Sequence, residues 1–480
     1  MRLRLGDVAE ILGSVSAAPE QLAEGYSIDS RQVRAGELFF ALRGRRLDGH
    51  EFVRQALEGG AVAAVVEGAF REGASASLVP ALIPVRDTTE ALQVLAREVR
   101  RRWSKRLIAI TGSMGKTTTK ELTAALLSTR YSVLKSRGNL NNDFGLPQAL
   151  LELEPSHDVA VVELAMSSAG EIARLARIAE PEIGVVTNVA PVHLQFFDSL
   201  DDIGRAKREL IEHLNRERGE ATAVLNGDDP RVKRFAEGFK GRTVMFGRHR
   251  GVDFLATEVE FAPPQGTSFR VQGPSLNAEF KMSLLGAHNV ENALAAIAAA
   301  SLFGVPADKM AKALATFKNL PGRSEILTLP GGVTLVNDCY NSNPRAMESM
   351  LETLAAWTGV KRRIVVAGEM LELGPPSAQW HRAVGRKCAE CAVDWVIGVQ
   401  GDARFFLEGA CDKGFDPSRL RFFATALEAA EFCRTLLREG DLALVKGSRG
   451  VGLEAVIELL ESSPAVSPAS SQRPSPERTD

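Results

Sequence analysis

The segment Ile110-Thr111-Gly112-Ser113-Met114-Gly115-Lys116-Thr117-Thr118 constrains the fold more than any other feature of the chain, because it joins the apolar run Leu107–Thr111 to a stretch of helical character. Glycines at such a junction let the backbone wrap close enough for its N–H groups to face phosphate oxygens, and the helix N-terminus adds positive potential. A strand, a loop of this kind and a helix in succession predict a phosphate cradle. In it the Lys116 ammonium neutralises β- and γ-phosphates and the Thr117 hydroxyl is placed to ligate Mg²⁺. Gly112, Ser113, Met114, Gly115, Lys116, Thr117 and Thr118 are therefore the expected phosphate-binding residues. The loop is a shortened variant of G-x-x-x-x-G-K-[ST], since the first glycine of that pattern falls at Ile110.

The rest of the chain supplies a sheet for that loop. Apolar strand runs recur at Val159–Leu164, Ile183–Asn188, Ala223–Asn226 and Thr243–Phe246, separated by helical segments such as Gly170–Ile178 and Ile203–Leu214. Short buried strands alternating with helices predict a mostly parallel sheet covered on both faces. Asp87 or Thr88 caps a preceding helix that runs to about Arg102. Between Asp253 and Leu285 the period changes to two, with Pro263, Pro264 and Gly266 marking a turn, so an antiparallel edge is expected before an Ala-rich helix over Asn289–Phe303.

Three α/β blocks follow: a small one over 1–84, the central one over 85–318, and a C-terminal one over 319–461. The first holds strands at Ala61–Val66 and Leu82–Val85. The last alternates strands at Val333–Asn337, Ile364–Ala367, Trp395–Val399, Arg421–Phe423 and Leu442–Val445 with helices, a second doubly wound, Rossmann-like unit. Residues 462–480 are Ser/Pro-rich, with almost nothing apolar to bury, and are expected to be disordered. A chain of 480 residues is long enough for three cores.

Charge and cysteine content exclude other classes. With 58 Lys+Arg against 60 Asp+Glu the net charge is −2, which gives no basic field for nucleic acid. Anionic ligands must be gripped locally. The N-terminus mixes Arg2, Arg4, Asp7 and Glu10 into its apolar pattern, unlike a secretory signal, and no apolar run reaches the ~18 residues that span a bilayer. A cytoplasmic monomer without membrane insertion is expected. Five cysteines argue against a disulfide framework, and Cys388-x-x-Cys391 reads as one face of a helix.

Three further residues are candidates for the chemistry. Glu163 ends an apolar strand, where a carboxylate needs a cation that Mg²⁺ near Thr117 would provide, although a solvent-facing strand end reads equally well. His193 follows Asn188 in a loop and reads more simply as a structural hydrogen-bonding group. Lys207 reads by itself as a solvated helix lysine.

Taken together, the motifs resemble the Mur ligase superfamily of ATP-dependent amide-forming enzymes. The carrying segments are 111–118, Asn-Leu-Asn-Asn-Asp-Phe-Gly-Leu-Pro (139–147), Glu-Leu-Ala-Met-Ser (163–167), His193 and Ala-Lys-Arg-Glu (206–209). Downstream come Gly-Ala-His-Asn-Val-Glu-Asn-Ala (286–293), Pro-Gly-Arg (321–323), Asn-Asp-Cys-Tyr-Asn-Ser-Asn-Pro (337–344) and Val-Lys-Gly-Ser-Arg-Gly (445–450). Gly-Glu-Met-Leu-Glu-Leu-Gly (368–374) is similar to a segment of the branch that joins D-alanyl-D-alanine to UDP-N-acetylmuramoyl-tripeptide (UDP-MurNAc-tripeptide).

The resemblance implies an acyl-phosphate mechanism that releases ADP and phosphate in peptidoglycan precursor synthesis. Lys116, Glu163, His193 and Lys207 would be catalytic, with Thr117, Glu163, His193 and a carbamylated Lys207 serving two Mg²⁺ ions. His288, Asn289 and Asn292 would lie on the adenine side, and Arg323 and Asp338 would reach ATP from the third block. Ser27, Ser30, Arg31, Gly44, Arg45, Asp48, Gly49 and His50 resemble segments that hold the UDP-sugar. Asn141, Asn142, Asn341, Asn343, Lys446, Ser448 and Arg449 are further candidates for substrate contacts, and Tyr340 stands where several branches have a lysine. The resemblance also implies closure of the third block on the second. Another Mur-type amino-acid ligase and a non-ligase phosphate-loop switch are the alternatives.

Overall fold

The computed structural model describes residues 1–462 except 45, 193, 216–220 and 319. It is α/β throughout and divides into two compact units, Met1–Lys318 and Asn319–Asp480.

Besides a two-stranded antiparallel pair, Leu3–Arg4 with Leu22–Ala23, the first unit holds two larger sheets. Near the N-terminus, Gly25–Ser27, Glu37–Phe40, Ala63–Glu67 and Leu82–Val85 pair in parallel in chain order. The larger sheet has nine strands. Its parallel core runs, in spatial order, Arg242–Gly247, Thr222–Asn226, Ile183–Val186, Arg106–Thr111, Val159–Glu163 and Val133–Lys135. The stretch after Gly251 adds Phe254–Ala262, Gly266–Gly273 and Leu276–Met282 to one edge, the latter two antiparallel, with the expected turn at 263–265. Side chains from alternate positions of Arg106–Thr111 fill separate cores on the two faces: Leu107 and Ala109 on one, Ile108 and Ile110 on the other. Burying each leucine or isoleucine contributes about 1.5–3 kcal/mol.

The helix Thr88–Trp103 ties the two sheets together. Its Asp87 cap accepts from Thr89 N at 2.7 Å and Glu90 N at 2.9 Å. Thr88 Oγ1 donates to Ala41 O at 2.9 Å on the N-terminal side. At the other end the buried Arg100 donates to Ala179 O, Glu180 O and the Glu182 carboxylate of the central part. One helix thus satisfies backbone groups of both parts.

The second unit has a six-stranded sheet in the order Glu325–Leu329, Val333–Asn337, Asp441–Lys446, Arg362–Gly368, Trp395–Val399 and Leu420–Phe423, parallel except for its first pair. Helix Glu454–Ser462 closes it, so Ser462 belongs to folded chain, while the remainder of the expected tail lies outside the described residues. Cys388 and Cys391 are buried and free at the end of a helix, and burial pushes both thiols up, away from the thiolate that metal or redox chemistry needs.

Candidate active site

The predicted cradle sits at the carboxyl end of Arg106–Thr111, in the middle of the nine-stranded sheet, where parallel sheets open a crevice. Helix Lys116–Leu127 leaves from it, and its first-turn N–H groups have no intrahelical acceptor. Asn188, at the end of the neighbouring strand, fixes the loop: its backbone carbonyl accepts from Ser113 N and its Oδ1 from Met114 N, both at 2.9 Å. Thr187 Oγ1 donates to Met114 O at 2.6 Å.

Both glycines of the loop are required. A Cβ on Gly112 would lie 1.9 Å from Thr187 Oγ1, and one on Gly115, where φ is +77°, would lie 2.1 Å from Asn292 Oδ1. Gly115→Ala is therefore expected to lower stability by about 2–4 kcal/mol, combining backbone strain with overpacking, as chemical denaturation can measure. Asn292 is itself buried, donating to Asn289 Oδ1 at 3.1 Å and accepting from Thr119 Oγ1 at 3.3 Å. Asn289 and Asn292 thus fasten the Ala-rich helix Ala287–Ser301 against the loop's helix, and His288 lies half-buried in the first turn of the former.

Glu163 overturns the solvent-facing alternative. It is 2 % exposed, with Oε2 accepting from Thr117 Oγ1 at 2.7 Å and Oε1 from Asn141 Nδ2 at 2.8 Å. Both donors are neutral, and no lysine or arginine among the described residues pairs with it. A buried carboxylate facing a hydroxyl in this way fits a hard divalent cation, with oxygen ligands of the kind Mg²⁺ takes. Glu163→Gln should leave stability unchanged or raise it, since a buried charge is removed at constant volume, while lowering turnover about 100-fold. Parallel melting and activity measurements would check this.

Lys207 is not solvated either. It is 2 % exposed on helix Leu200–Leu214, with no ion pair or side-chain hydrogen bond among the described residues. Burial first, and the Lys116 ammonium second, drive its pKa well below the ordinary lysine value. The Lys207 ammonium therefore gives up its proton more readily than a solvated lysine does. His193 and Arg45 lie outside the described residues.

The N-terminal candidates form a second group. Arg31 makes a bidentate pair with Asp29 at 2.9 and 2.8 Å, and this hydrogen bonding lowers the Asp29 carboxyl to about 2. Ser27 Oγ donates to Asp29 O, Ser30 Oγ to Gln55 Oε1, and Gly44 N to Leu47 O. His50 is buried, with Nδ1 2.6 Å from Asp48 Oδ1 and Nε2 accepting from Glu67 N, so it shapes the loop. Gly49 is packed on Leu42, whose backbone N and O would both lie 2.7 Å from a Cβ. Asn142 caps helix Gly145–Leu151 by accepting from Gly145 N at 2.9 Å.

In the second unit the remaining candidates gather at the carboxyl ends of Val333–Asn337 and Asp441–Lys446. Lys446 Nζ donates to Asp338 Oδ2 at 2.6 Å and to Asn341 O at 2.8 Å. Ser324 N donates to Asp338 Oδ1. The Tyr340 ring carries Arg323 at 4.1 Å and Arg449 at 5.4 Å. Asn343 caps helix Pro344–Ala355 by accepting from Ala346 N, and Ser448 Oγ accepts from Leu371 N. Tyr340, at a position where the resemblance implies a lysine in several branches, instead offers its ring to two guanidinium groups.

The chain matches the models of three parts of one family: "Mur ligase family, catalytic domain" over 23–100, "Mur ligase middle domain" over 110–300 and "Mur ligase, glutamate ligase domain" over 322–449. It is 37% identical over 470 residues to the UDP-N-acetylmuramoyl-tripeptide--D-alanyl-D-alanine ligase of Synechocystis sp., covering 96% of this chain and 99% of that one. This chain belongs to the Mur ligase family. Among solved structures, MurF from Acinetobacter baumannii superposes with a TM-score of 0.86 at 31% identity, covering 96% of this Mur ligase and 99% of that chain. The MurF ligase from Thermotoga maritima in complex with ADP gives 0.79 at 29%, covering 92% and 97%. The middle-domain match contains the phosphate loop, Glu163 and Lys207 of this Mur ligase, and the third match contains Arg323, Asp338, Lys446 and Arg449.

Proposed function

We infer that this Mur ligase joins D-alanyl-D-alanine to UDP-MurNAc-tripeptide, consuming ATP and releasing ADP and phosphate. The observation that carries the inference is full-length similarity to ligases of that name, together with an intact loop-and-carboxylate arrangement at Lys116, Thr117 and Glu163. A phosphate-loop switch would not need the buried Lys207 or the third part, so the non-ligase alternative is not favoured.

A carboxylate is a poor electrophile, and phosphorylation by ATP turns it into an acyl phosphate that an amine can attack. Lys116 and the first-turn N–H groups hold the transferring phosphoryl and stabilise charge developing on it. Thr117 and Glu163 would hold Mg²⁺, which neutralises phosphate charge when bound. Lys207, whose proton burial makes easier to lose, would add CO₂ through its free amine, forming an N–C bond and releasing a proton. The resulting carbamate would hold a second Mg²⁺ with His193. Asn289 and Asn292 keep the loop in shape beside His288, which would lie on the adenine side, and Arg323 and Asp338 are the further candidates for ATP. The N-terminal group around Arg31 and Gly44–His50 holds the UDP-sugar, and Asn341, Asn343, Lys446, Ser448 and Arg449 serve the dipeptide end.

The proposed parts, serving UDP-sugar peptide over 1–84, ATP over 85–318 and the dipeptide over 319–461, follow the order of the three family matches, although the first match runs past 84 to 100. No helix among the described residues is long and apolar enough to cross a membrane, in keeping with a cytoplasmic enzyme on small, soluble substrates. Phosphate release that requires UDP-MurNAc-tripeptide and D-alanyl-D-alanine together is the expected result. Equal release with a single amino acid and a UDP-sugar dipeptide would instead indicate the branch that adds the third residue.

A further inference from the structure

The helix that begins at the phosphate loop carries, almost one turn beyond Thr117, a lysine with no part in the chemistry above. Lys120 is 0 % exposed. A buried ammonium is costly unless its donors are matched. Its Nζ donates to Ser136 O at 2.5 Å and Gly138 O at 3.3 Å, and lies 3.1 Å from the Glu121 carboxylate. Glu121 is shared with Lys135, so two cations surround one carboxylate and the loop carbonyls take up the remaining charge.

Both carbonyls belong to the loop between strand Val133–Lys135 and helix Gly145–Leu151. Ser136 is buried, and irregular backbone that is buried needs donors from outside any ladder, of which an ammonium offers three. The same loop delivers Asn141 to Glu163 Oε1, and its Ser136 Oγ accepts from Glu163 N at 3.3 Å. Thr117 holds the other Glu163 oxygen. One helix therefore grips Glu163 twice, directly through Thr117 and indirectly through Lys120 and the loop. Beyond Asn141 the loop lines a cleft of about 300 Å³ with Asn142, Phe144, Met166 and Ser167.

We propose that Lys120 is a positioning residue that clamps the loop 136–142 to the phosphate helix, holding Asn141 on Glu163 and setting the cleft in register with the phosphate loop. The cleft is lined by Asn141, which donates to Glu163, and this makes it the seat of the carboxyl end to be activated; this assignment rests on the ligase reading, whereas the clamp itself does not.

The test is Lys120→Met, which keeps length and removes charge. Hydrogen exchange should accelerate in 136–142 while helix Lys116–Leu127 stays protected. The KM for UDP-MurNAc-tripeptide should rise about tenfold, with the KM for ATP changing less than about twofold. Combined with Asn141→Ala, its effect on turnover should be well below additive, because both act through the same carboxylate. Should Lys120→Met not fold, Gly138→Val reaches the loop from its open side: Gly138 has φ +50° and a Cβ there meets nothing within 4 Å. The same KM pattern is expected. Unaltered loop exchange, additive effects, or wild-type kinetics in Gly138→Val would each overturn the clamp. Wild-type enzyme lacking acceptor-dependent phosphate release would overturn the ligase reading alone, since the exchange measurement needs no substrate.

Discussion

Lys116→Ala is expected to reduce acceptor-dependent phosphate release by about 10³-fold or more, the scale of lost charge stabilisation at a transferring phosphoryl group. Stability should change little. The Lys116 ammonium donates to the loop's own carbonyls, Gly112 O at 2.9 Å and Ser113 O at 3.4 Å, so its removal forfeits one well-formed hydrogen bond of about 1.5 kcal/mol and one long, weaker contact. The loop is shaped independently by Asn188 and Thr187. Rate and unfolding should therefore separate: an inactive enzyme with a nearly native melting curve. Near-normal turnover would remove this loop from the reaction.

Lys207→Ala should cost about 10²–10³-fold in turnover, with partial recovery on adding formate or acetate, which restore a carboxylate where the carbamate would stand. Stripping CO₂ from the wild type should lower its rate and bicarbonate should restore it. The same residue predicts a pH effect on stability. Its folded-state pKa lies below its unfolded value through burial and Lys116. Between those two values the unfolded chain binds more protons, so stability rises as pH rises through that window. Lys207→Ala should flatten that slope in melts taken across the alkaline range. Full activity without Lys207 would exclude the carbamate.

Strong local periodicity made the parallel sheets legible: the strands at Val159, Ile183, Trp395 and Leu442 fall within about two residues of expectation. Val133–Lys135 was not legible because three residues flanked by Ser132 and Ser136 carry no period. The phosphate loop could be read because glycine is demanded by backbone geometry. The surroundings of Glu163 and Lys207 could not, because a strand-end carboxylate and a helix lysine look alike whether buried or solvated. Asn292 is expected on the adenine side; the structure adds bonds to Asn289 and Thr119, a packing task that the sequence pattern did not show. Lys120 did leave a trace: Thr117, Lys120, Ala124 and Leu127 follow helical spacing on a face that is largely buried, so a lysine there signals a buried cation with a task.

The most direct measurement is the stoichiometry of product against phosphate with each substrate withheld in turn. A D-alanyl-D-alanine ligase forms one UDP-MurNAc-pentapeptide per phosphate, seen by mass spectrometry, and forms none without ATP, the tripeptide or the dipeptide. Phosphate released at the same rate with the dipeptide absent, and no pentapeptide formed, would contradict the account.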